Sequence, residues 1–392
     1  MNTEDIVVAH FTDTYKPQRN GVVTSICSLN SQLLRRGIHP VIFAPGDEDD
    51  VRRDNINQEI PVYTFKGIPF KPYPEYLVAQ PHFEAALKVC TALQVNIIHV
   101  HTPFSEGMSA LYTKQILDLP CVGTFHTLYP EYLHYVAGKY SDSEMVKLPS
   151  WKILQAFYKR CDVTIAPSKA NAKLLDERGI KNVKVIPNGV DTNKFNPSVD
   201  GSSVRKKYCR KKEEVLALYL GRLGFEKDID SLIGMIDEIR NPALKLLIVG
   251  QGPAMKELSE LARTMKLLNK QVFFAGFVPD EEVPKYYAAC DIFAMPSQTD
   301  TQGITVLEAL SSGKPVIVFE GACSDHVIHN KNGFVAGTGV NEEFRERLAT
   351  LAGDAALRKR MQKDARSTAL KNSLSVFTER IISVYANLVR RR

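Results

Sequence analysis

At 392 residues, with 44% hydrophobic and 24% charged side chains, the chain exceeds what one hydrophobic core usually serves, which predicts two globular domains and excludes a disordered polypeptide. The formal net charge of +6 is modest; it permits attraction to phosphates or to an anionic membrane and gives no reason to expect a nucleic-acid partner. Seven scattered cysteines without a Cys-x-x-Cys pair argue against a disulfide framework or a zinc site and predict mostly buried thiols.

No apolar run is long enough to span a bilayer. The polar, acidic start Met1-Asn2-Thr3-Glu4-Asp5 lacks the basic-then-apolar pattern of a secretory signal, so a cytoplasmic protein is expected. Along the chain, short β-branched runs alternate with amphipathic stretches. Strands are expected at Ile6–Ala9, His39–Ala44, Val62–Phe65, Asn96–Val100, Cys121–Thr124, Val163–Ala166 and Val183–Ile186, with helices at Val22–Arg36, Pro81–Leu93, Gly107–Leu117 and Lys169–Arg178. The second half repeats the design, with strands at Val215–Tyr219, Leu246–Val249, Val272–Phe274, Ile292–Met295 and Pro315–Val318. Its helices are expected at Asp228–Ile239, Met255–Leu267, Glu281–Ala289 and Gly303–Ser311. Continuous apolar strands with intervening helices predict an α/β protein with parallel sheets covered on both faces. The seam is expected near Pro187-Asn188-Gly189-Val190-Asp191 and through the polar stretch Asn196–Arg210, which with Pro197, Gly201 and three serines has the composition of a linker. We therefore expect Rossmann-like domains over 1–195 and 196–372, and a final helix within 373–392 packing back toward the first domain. In such sheets ligands bind beyond the carboxyl ends of the strands, and two facing domains would share one deep cleft.

Four loops after strands carry candidate chemistry. In Pro296–Ala309 a polar loop leads into a helix near Gly303, whose free N–H groups and positive dipole end suit a pyrophosphate. Asp300 sits in the loop, and Glu308 lies about one and a half turns into the helix, within reach of a neighbouring ribose. The plainer alternative makes Asp300 a loop cap and Glu308 part of a solvated face. In Gly221-Arg222-Leu223-Gly224-Phe225-Glu226-Lys227-Asp228, Arg222 and Lys227 can bracket a departing diphosphate, whose charge grows as the glycosidic bond breaks; ordinary surface charge is the alternative. Asp13–Ser25 opens a helix with the single glycine Gly21, which disfavours a nicotinamide site but still allows a phosphate contact. His126, in Thr124-Phe125-His126-Thr127, stands just past a strand end, where it could bind a sugar hydroxyl.

Taken together, these stretches resemble the retaining nucleotide-sugar transferases of glycosyltransferase family 4, which have the GT-B fold. The Asn20-Gly21 loop, His126, Ile186-Pro187-Asn188-Gly189-Val190-Asp191, Gly221-Arg222…Glu226-Lys227 and the acidic-x7-Glu pattern Asp300…Glu308 follow the family's order over nearly the whole chain. The resemblance implies that Arg222 and Lys227 hold the diphosphate and that Glu308 holds the ribose. Asp300 with Gln302, Gly303 and Ile304 would hold the donor sugar and phosphates, with Phe277 and Val278 against the base. It also implies a metal-free, cofactor-free transfer in which the leaving phosphate takes the acceptor's proton. Two departures stand out: Asp300 replaces the family's usual Glu, and Glu-Lys-Asp at 226–228 replaces the common Glu-Lys-Gly.

The segments around Asp13 and Tyr15, His101-Thr102-Pro103-Phe104, and Tyr129–Tyr135 with Tyr132 resemble the branch that glucosylates diacylglycerol at membranes. A UDP-glucose donor and a lipid acceptor are therefore expected, with peripheral contact at an anionic membrane. Lys147–Arg160 reads either as a basic amphipathic helix in the membrane interface or as a domain helix with Ile153, Leu154 and Phe157 inward. The basic run Arg205–Lys212 and the tail Arg390-Arg391-Arg392 could each add about 1 kcal/mol per charge near anionic lipid. A family 4 transferase using a soluble sugar, glycan or inositol phosphate is the nearest alternative, and a catalytically silent donor-binding or adaptor protein is a remote one.

Overall fold

A computed structural model describes residues 6–390 apart from 19, 48, 54–59, 71–72 and 133–143. The expected aromatic loop at 133–135, the tail arginines Arg391 and Arg392, and the side chain of Tyr132 lie outside the described residues. The chain forms two compact units, Met1–Asn188 with Leu374–Arg392, and Gly189–Ser373.

The first unit runs β1 (Val7–Phe11), α1 (Gly21–Leu34), β2 (His39–Gly46), β3 (Asp50–Arg53), β4 (Pro61–Phe70), β5 (Tyr73–Ala79), α2 (Phe83–Ala92) and β6 (Ile97–Val100). It continues with α3 (Ser105–Leu117), β7 (Cys121–Thr124), α4 (Glu144–Tyr158), β8 (Val163–Ala166), α5 (Lys169–Glu177) and β9 (Val183–Val185). Its sheet has the order β3-β4-β2-β1-β6-β7-β8-β9, with β5 on β4. All pairings are parallel except the antiparallel β3/β4 and β4/β5. The central strands β6, β7 and β8 are buried along their whole length, as runs rich in β-branched residues between two helix layers require. Polar side chains set the helix starts: Asn20 Oδ1 accepts from Val23 N at 3.0 Å, and Ser168 Oγ accepts from Asn171 N at 3.1 Å. In α4, Trp151, Leu154, Phe157 and Tyr158 point inward, whereas Ile153 is 61% exposed and Leu148 also faces out. The domain-helix reading thus holds for Leu154 and Phe157 but not for Ile153, because the inward stripe follows the larger rings.

The second unit runs α6 (Ser202–Tyr208), β10 (Val215–Leu220), α7 (Ile229–Ile239), β11 (Leu244–Val249), α8 (Met255–Thr264), β12 (Val272–Gly276), α9 (Val283–Ala289) and β13 (Ile292–Met295). Then follow α10 (Ile304–Ser311), β14 (Val316–Phe319), β15 (Gly333–Ala336), α11 (Asn341–Gly353) and α12 (Ala355–Leu370). The sheet, β12-β11-β10-β13-β14-β15, is parallel throughout. The division falls between Asn188 and Gly189, within the seam expected from Pro187 onward though ahead of the boundary drawn after residue 195, because Val190 bridges to Ser373 and Phe195 is buried in the second unit's core. The stretch expected as a linker is packed structure: Val204 is buried, and Arg205 donates to Ala289 O, Glu214 O and Asp291 Oδ2. A Cβ on Gly201 would lie 2.3 Å from Ala289 N, so its glycine serves close packing rather than flexibility.

The helix Leu374–Val389 belongs to the first unit, where Phe377, Ile381, Val384 and Tyr385 share a core with Val8, Ile97, Val122 and Ile165. Six cysteines are buried and Cys27 is half-buried, all as free thiols. No helix among the described residues is long and apolar enough to cross a membrane.

Candidate active site

In the second unit the strand order reverses between β10 and β13, so the crevice beyond their carboxyl ends is the place where a doubly wound sheet takes a ligand. The loops at that point are 221–228 and 296–303, which carry Arg222, Lys227, Asp300, Gln302 and Gly303. Lys227, only 6% exposed, donates from Nζ to Asp300 Oδ1 at 2.9 Å. Arg222 Nη2 donates to Glu226 Oε1 at 2.6 Å. The structure therefore brings Arg222, Lys227 and Asp300 together and adds Glu226, which the sequence reading had left without a role. Burial pushes the Asp300 carboxyl up, but Lys227, Ser297 and Arg222 together outweigh it and hold the group below the usual carboxylate range.

Two further bonds lace the loops: Thr299 Oγ1 donates to Glu226 O at 3.2 Å, and Gln298 Nε2 to Asp228 Oδ2 at 3.4 Å. The lacing and the backbone explain Asp228. It sits at φ 52°, ψ 31°, the left-handed conformation that glycine takes freely and that aspartate tolerates better than most residues. The extra carboxyl is thus accommodated where a glycine is common, and burial raises its proton affinity, which softens the added negative charge.

Gly303 caps α10 at φ 70°, and a Cβ there would lie 2.8 Å from Cys323 Sγ, so the left-handed backbone and the close packing on Cys323 both call for glycine at this helix tip. Ile304 is the first helical residue, and buried Gln302 lies 3.2 Å from the His326 ring through Nε2. The two glycines Gly250 and Gly252, directly after β11, were missed. A Cβ on Gly250 would stand 1.9 Å from Gly221 O, and one on Gly252 2.3 Å from Leu223 O; Leu223 N donates to Gln251 O at 2.9 Å. A glycine pair immediately after a strand was the signal available for them.

Glu308 stands apart from this cluster. Its Oε2 accepts from Tyr287 Oη at 2.7 Å, and burial raises its carboxyl to about 7. Tyr287, on α9, is a second residue the sequence reading missed; being fully buried, it carried no signal beyond that of a core aromatic. After β12, Phe277 is 49% exposed and Val278 is buried.

In the first unit the reversal lies between β1 and β6. The loops there are tied by Asp13: Oδ2 accepts from Thr102 Oγ1 at 2.5 Å, and Oδ1 from Ser105 Oγ at 2.6 Å and Glu106 N at 3.1 Å. Asp13 thereby caps the start of α3, a structural employment of a residue expected to meet the acceptor. Tyr15 is buried, and Tyr129 sits edge-on to Phe104 at 4.8 Å between ring centroids. Gly21 opens α1 on its exposed side. His126, past β7, is buried, and its Nε2 lies 3.0 Å from His101 Nδ1.

Two Rossmann-like units, each with polar loops gathered at its sheet's point of reversal, define a glycosyltransferase of GT-B fold. The chain belongs to glycosyltransferase family 4: residues 19–194 match the family described as Glycosyltransferase Family 4, and residues 202–368 match Glycosyl transferases group 1. It is 32% identical over 329 residues to the alpha-monoglucosyldiacylglycerol synthase of Streptococcus pneumoniae, covering 82% of this chain and 73% of that one. The enzyme of the same name from Acholeplasma laidlawii is 27% identical over 391 residues, 97% of this chain and 96% of that one. A GDP-mannose-dependent alpha-mannosyltransferase of Mycobacterium tuberculosis is 26% identical over 388 residues, 98% and 97% of the two chains. Among solved structures, sucrose-phosphate synthase from Thermosynechococcus elongatus superposes with a TM-score of 0.78 at 18% identity, covering 99% of this chain and 100% of that one. Anabaena HepE in complex with UDP and glucose gives 0.77 at 21% identity, covering 98% and 100%.

Proposed function

We propose that the chain transfers glucose from UDP-glucose to a membrane lipid such as diacylglycerol, with retention of configuration and without a metal ion. One observation carries the lipid part: α3 shows water a row of apolar side chains. Glu106, Ser109 and Thr113 are buried beside Ala110 and Leu111, while Phe104 just ahead of the helix and Met108, Tyr112 and Ile116 within it, four residues apart in a single row, are 38% to 53% exposed. Leu148 and Ile153 of α4 are also exposed, with Lys152 beside them. Apolar side chains in a row on water, with cations close in sequence, suit an acyl and headgroup boundary. The names of the S. pneumoniae and A. laidlawii relatives supply the glucose and the diacylglycerol. The mannosyltransferase relative favours a second reading, GDP-mannose as donor, which a donor panel separates.

In this reading Arg222, Lys227 and the helix tip at Gly303 and Ile304 receive the diphosphate, Glu308 the ribose, and Phe277 and Val278 the base. Asp300 and Gln302 meet the donor sugar on the second unit, and His126 a substrate hydroxyl on the first; Tyr15 and Tyr129 are on the acceptor side, where Asp13 holds the loops. As the bond from the anomeric carbon to phosphate breaks, the acceptor oxygen bonds to the same face and its proton passes to the leaving phosphate. Two cations supply the charge stabilisation, so turnover is expected to survive EDTA.

Transfer of radiolabelled glucose from UDP-glucose into vesicle diacylglycerol tests the reading, with GDP-mannose as the rival donor; incorporation only into a water-soluble acceptor would sink it. Met108→Glu with Ile116→Glu should weaken sedimentation with anionic vesicles by at least about tenfold, since burying charge in the interface replaces two favourable contacts by unfavourable ones. Unchanged vesicle binding would remove α3 from the membrane face.

A pH test addresses Glu308. Its carboxyl, raised to about 7, is mostly neutral below that pH and accepts ribose hydroxyl hydrogens fully only above it. Nucleotide affinity should therefore rise as pH passes from 6 to 8, and Glu308→Gln should lack that component. Tyr287→Phe removes a hydrogen bond that favours the ionised form and should move the midpoint to higher pH. Identical profiles in all three proteins would take Glu308 off the ribose.

A further inference from the structure

Histidines from three adjacent strands of the first unit meet in one buried group: His10 on β1, His99 on β6 with His101 just beyond it, and His126 just past β7. Three of them form a row. His10 Nδ1 lies 2.8 Å from His101 Nε2, and His101 Nδ1 lies 3.0 Å from His126 Nε2. The rings are nearly parallel, with centroids 5.1 and 5.2 Å apart. His99 packs against His101 at 4.2 Å and is held by Tyr385 Oη at 2.5 Å on Nδ1 and Thr124 Oγ1 at 2.7 Å on Nε2.

Burial lowers the proton affinity of all four, His10 and His126 to about 3, so each ring is neutral and carries one N–H. A row of three neutral imidazoles joined by two hydrogen bonds has only two arrangements, every N–H directed toward His126 or every N–H directed away. Directed away, the last proton sits on His10 Nε2, which is buried and has no hydrogen-bond partner. Directed toward His126, the same atom is a bare lone pair. A buried donor without an acceptor is the costlier of the two, so the row runs from His10 to His126.

We propose that His10 and His101 are positioning residues that fix His126 as the Nδ1–H tautomer, making it a hydrogen-bond donor toward a hydroxyl of the bound sugar or acceptor. The inference rests on the placement of His126 against substrate in the proposed function. His10, His99 and His101 also lie close enough to share a metal ion, their ligand atoms within 4.8 Å of one another. Both nitrogens of His99 and of His101 already have partners, however, and an ion would have to displace some of them.

Long-range 15N–1H correlation on the full-length chain labelled at histidine reads the tautomers directly, with His126 assigned by its loss in His126→Gln. The wild-type protein should show His126 protonated on Nδ1. His10→Phe keeps the stacked ring but removes the first donor; it should shift His126 toward the Nε2–H form and lower kcat about tenfold, with KM little changed. His10→Asn, whose amide N–H stands near the lost Nδ1–H, should recover most of both. Finding His126 protonated on Nε2 in the wild type, or unmoved in His10→Phe, overturns the proposal. So does stoichiometric zinc binding that erases the His101 signals. A tautomer that flips in His10→Phe with undiminished kcat would keep the row and refute the placement of His126 on the substrate.

Discussion

Replacing Lys227 by alanine is expected to lower kcat by about 10²–10³-fold, the cost of removing one group aimed at charge that develops as the bond breaks. The ammonium is nearly buried at the point where the second sheet reverses, so it acts in a medium that screens it less than water does. Its loss also leaves Asp300 without its cation, which should cost about 1–3 kcal/mol of stability. The two effects separate in the double variant Lys227→Ala/Asp300→Asn. Its melting temperature should return toward that of the wild type while turnover stays low. Arg222→Ala should do less harm, since that guanidinium is more open to solvent. Wild-type kcat in Lys227→Ala would remove the residue from the leaving group.

Gly250→Ala is expected to be as damaging by a different route. The added methyl would stand 1.9 Å from the Gly221 carbonyl oxygen, a backbone atom that cannot swing away as a side-chain tip can. The residue also holds φ 136°, which a Cβ disfavours. Together, overpacking and strain should cost about 3 kcal/mol and push the loop of Arg222 and Lys227 off the sheet end. A fall in melting temperature with weakened nucleotide binding would be the result. Gly234→Ala, in the middle of α7 with no atom within 4 Å of the new methyl, is the control and should be neutral or stabilising. Equal behaviour of the two variants would show that the approach of these loops is not tight in solution.

Much of this architecture was legible because buried parallel strands announce themselves as unbroken apolar runs. Cys121–Thr124, Val163–Ala166 and Ile292–Met295 stand where their composition placed them. The edge strands β3 and β5 escaped because antiparallel margins such as Asp50–Arg53 carry charge instead of an apolar run. The helix α12 buries Leu357, Met361, Ala365 and Ala369 at every fourth position, but two alanines make a faint stripe. Within the site, the loops were readable from residue type and position after a strand, and Arg222, Lys227 and Asp300 do converge. The pairing of Asp300 with Lys227 was not readable, because it depends on how two loops 73 residues apart in sequence lie side by side. The left-handed backbone at Asp228 was signalled only by the glycine common there in the family, since the aspartate itself does not advertise it.

The pairing of Val190 with Ser373 has a consequence for how the protein is made. The polypeptide leaves the second unit beside the place where it came in, Val190 N donating to Asn372 O at 3.0 Å, so that unit is a self-closing insert. During synthesis the insert emerges whole before Leu374–Val389, the helix that brings Tyr385 to His99. The first half of the nascent chain must therefore wait on the ribosome with its Val8, Ile97 and Val122 surface uncovered, a window in which a chaperone or a premature partner could claim it.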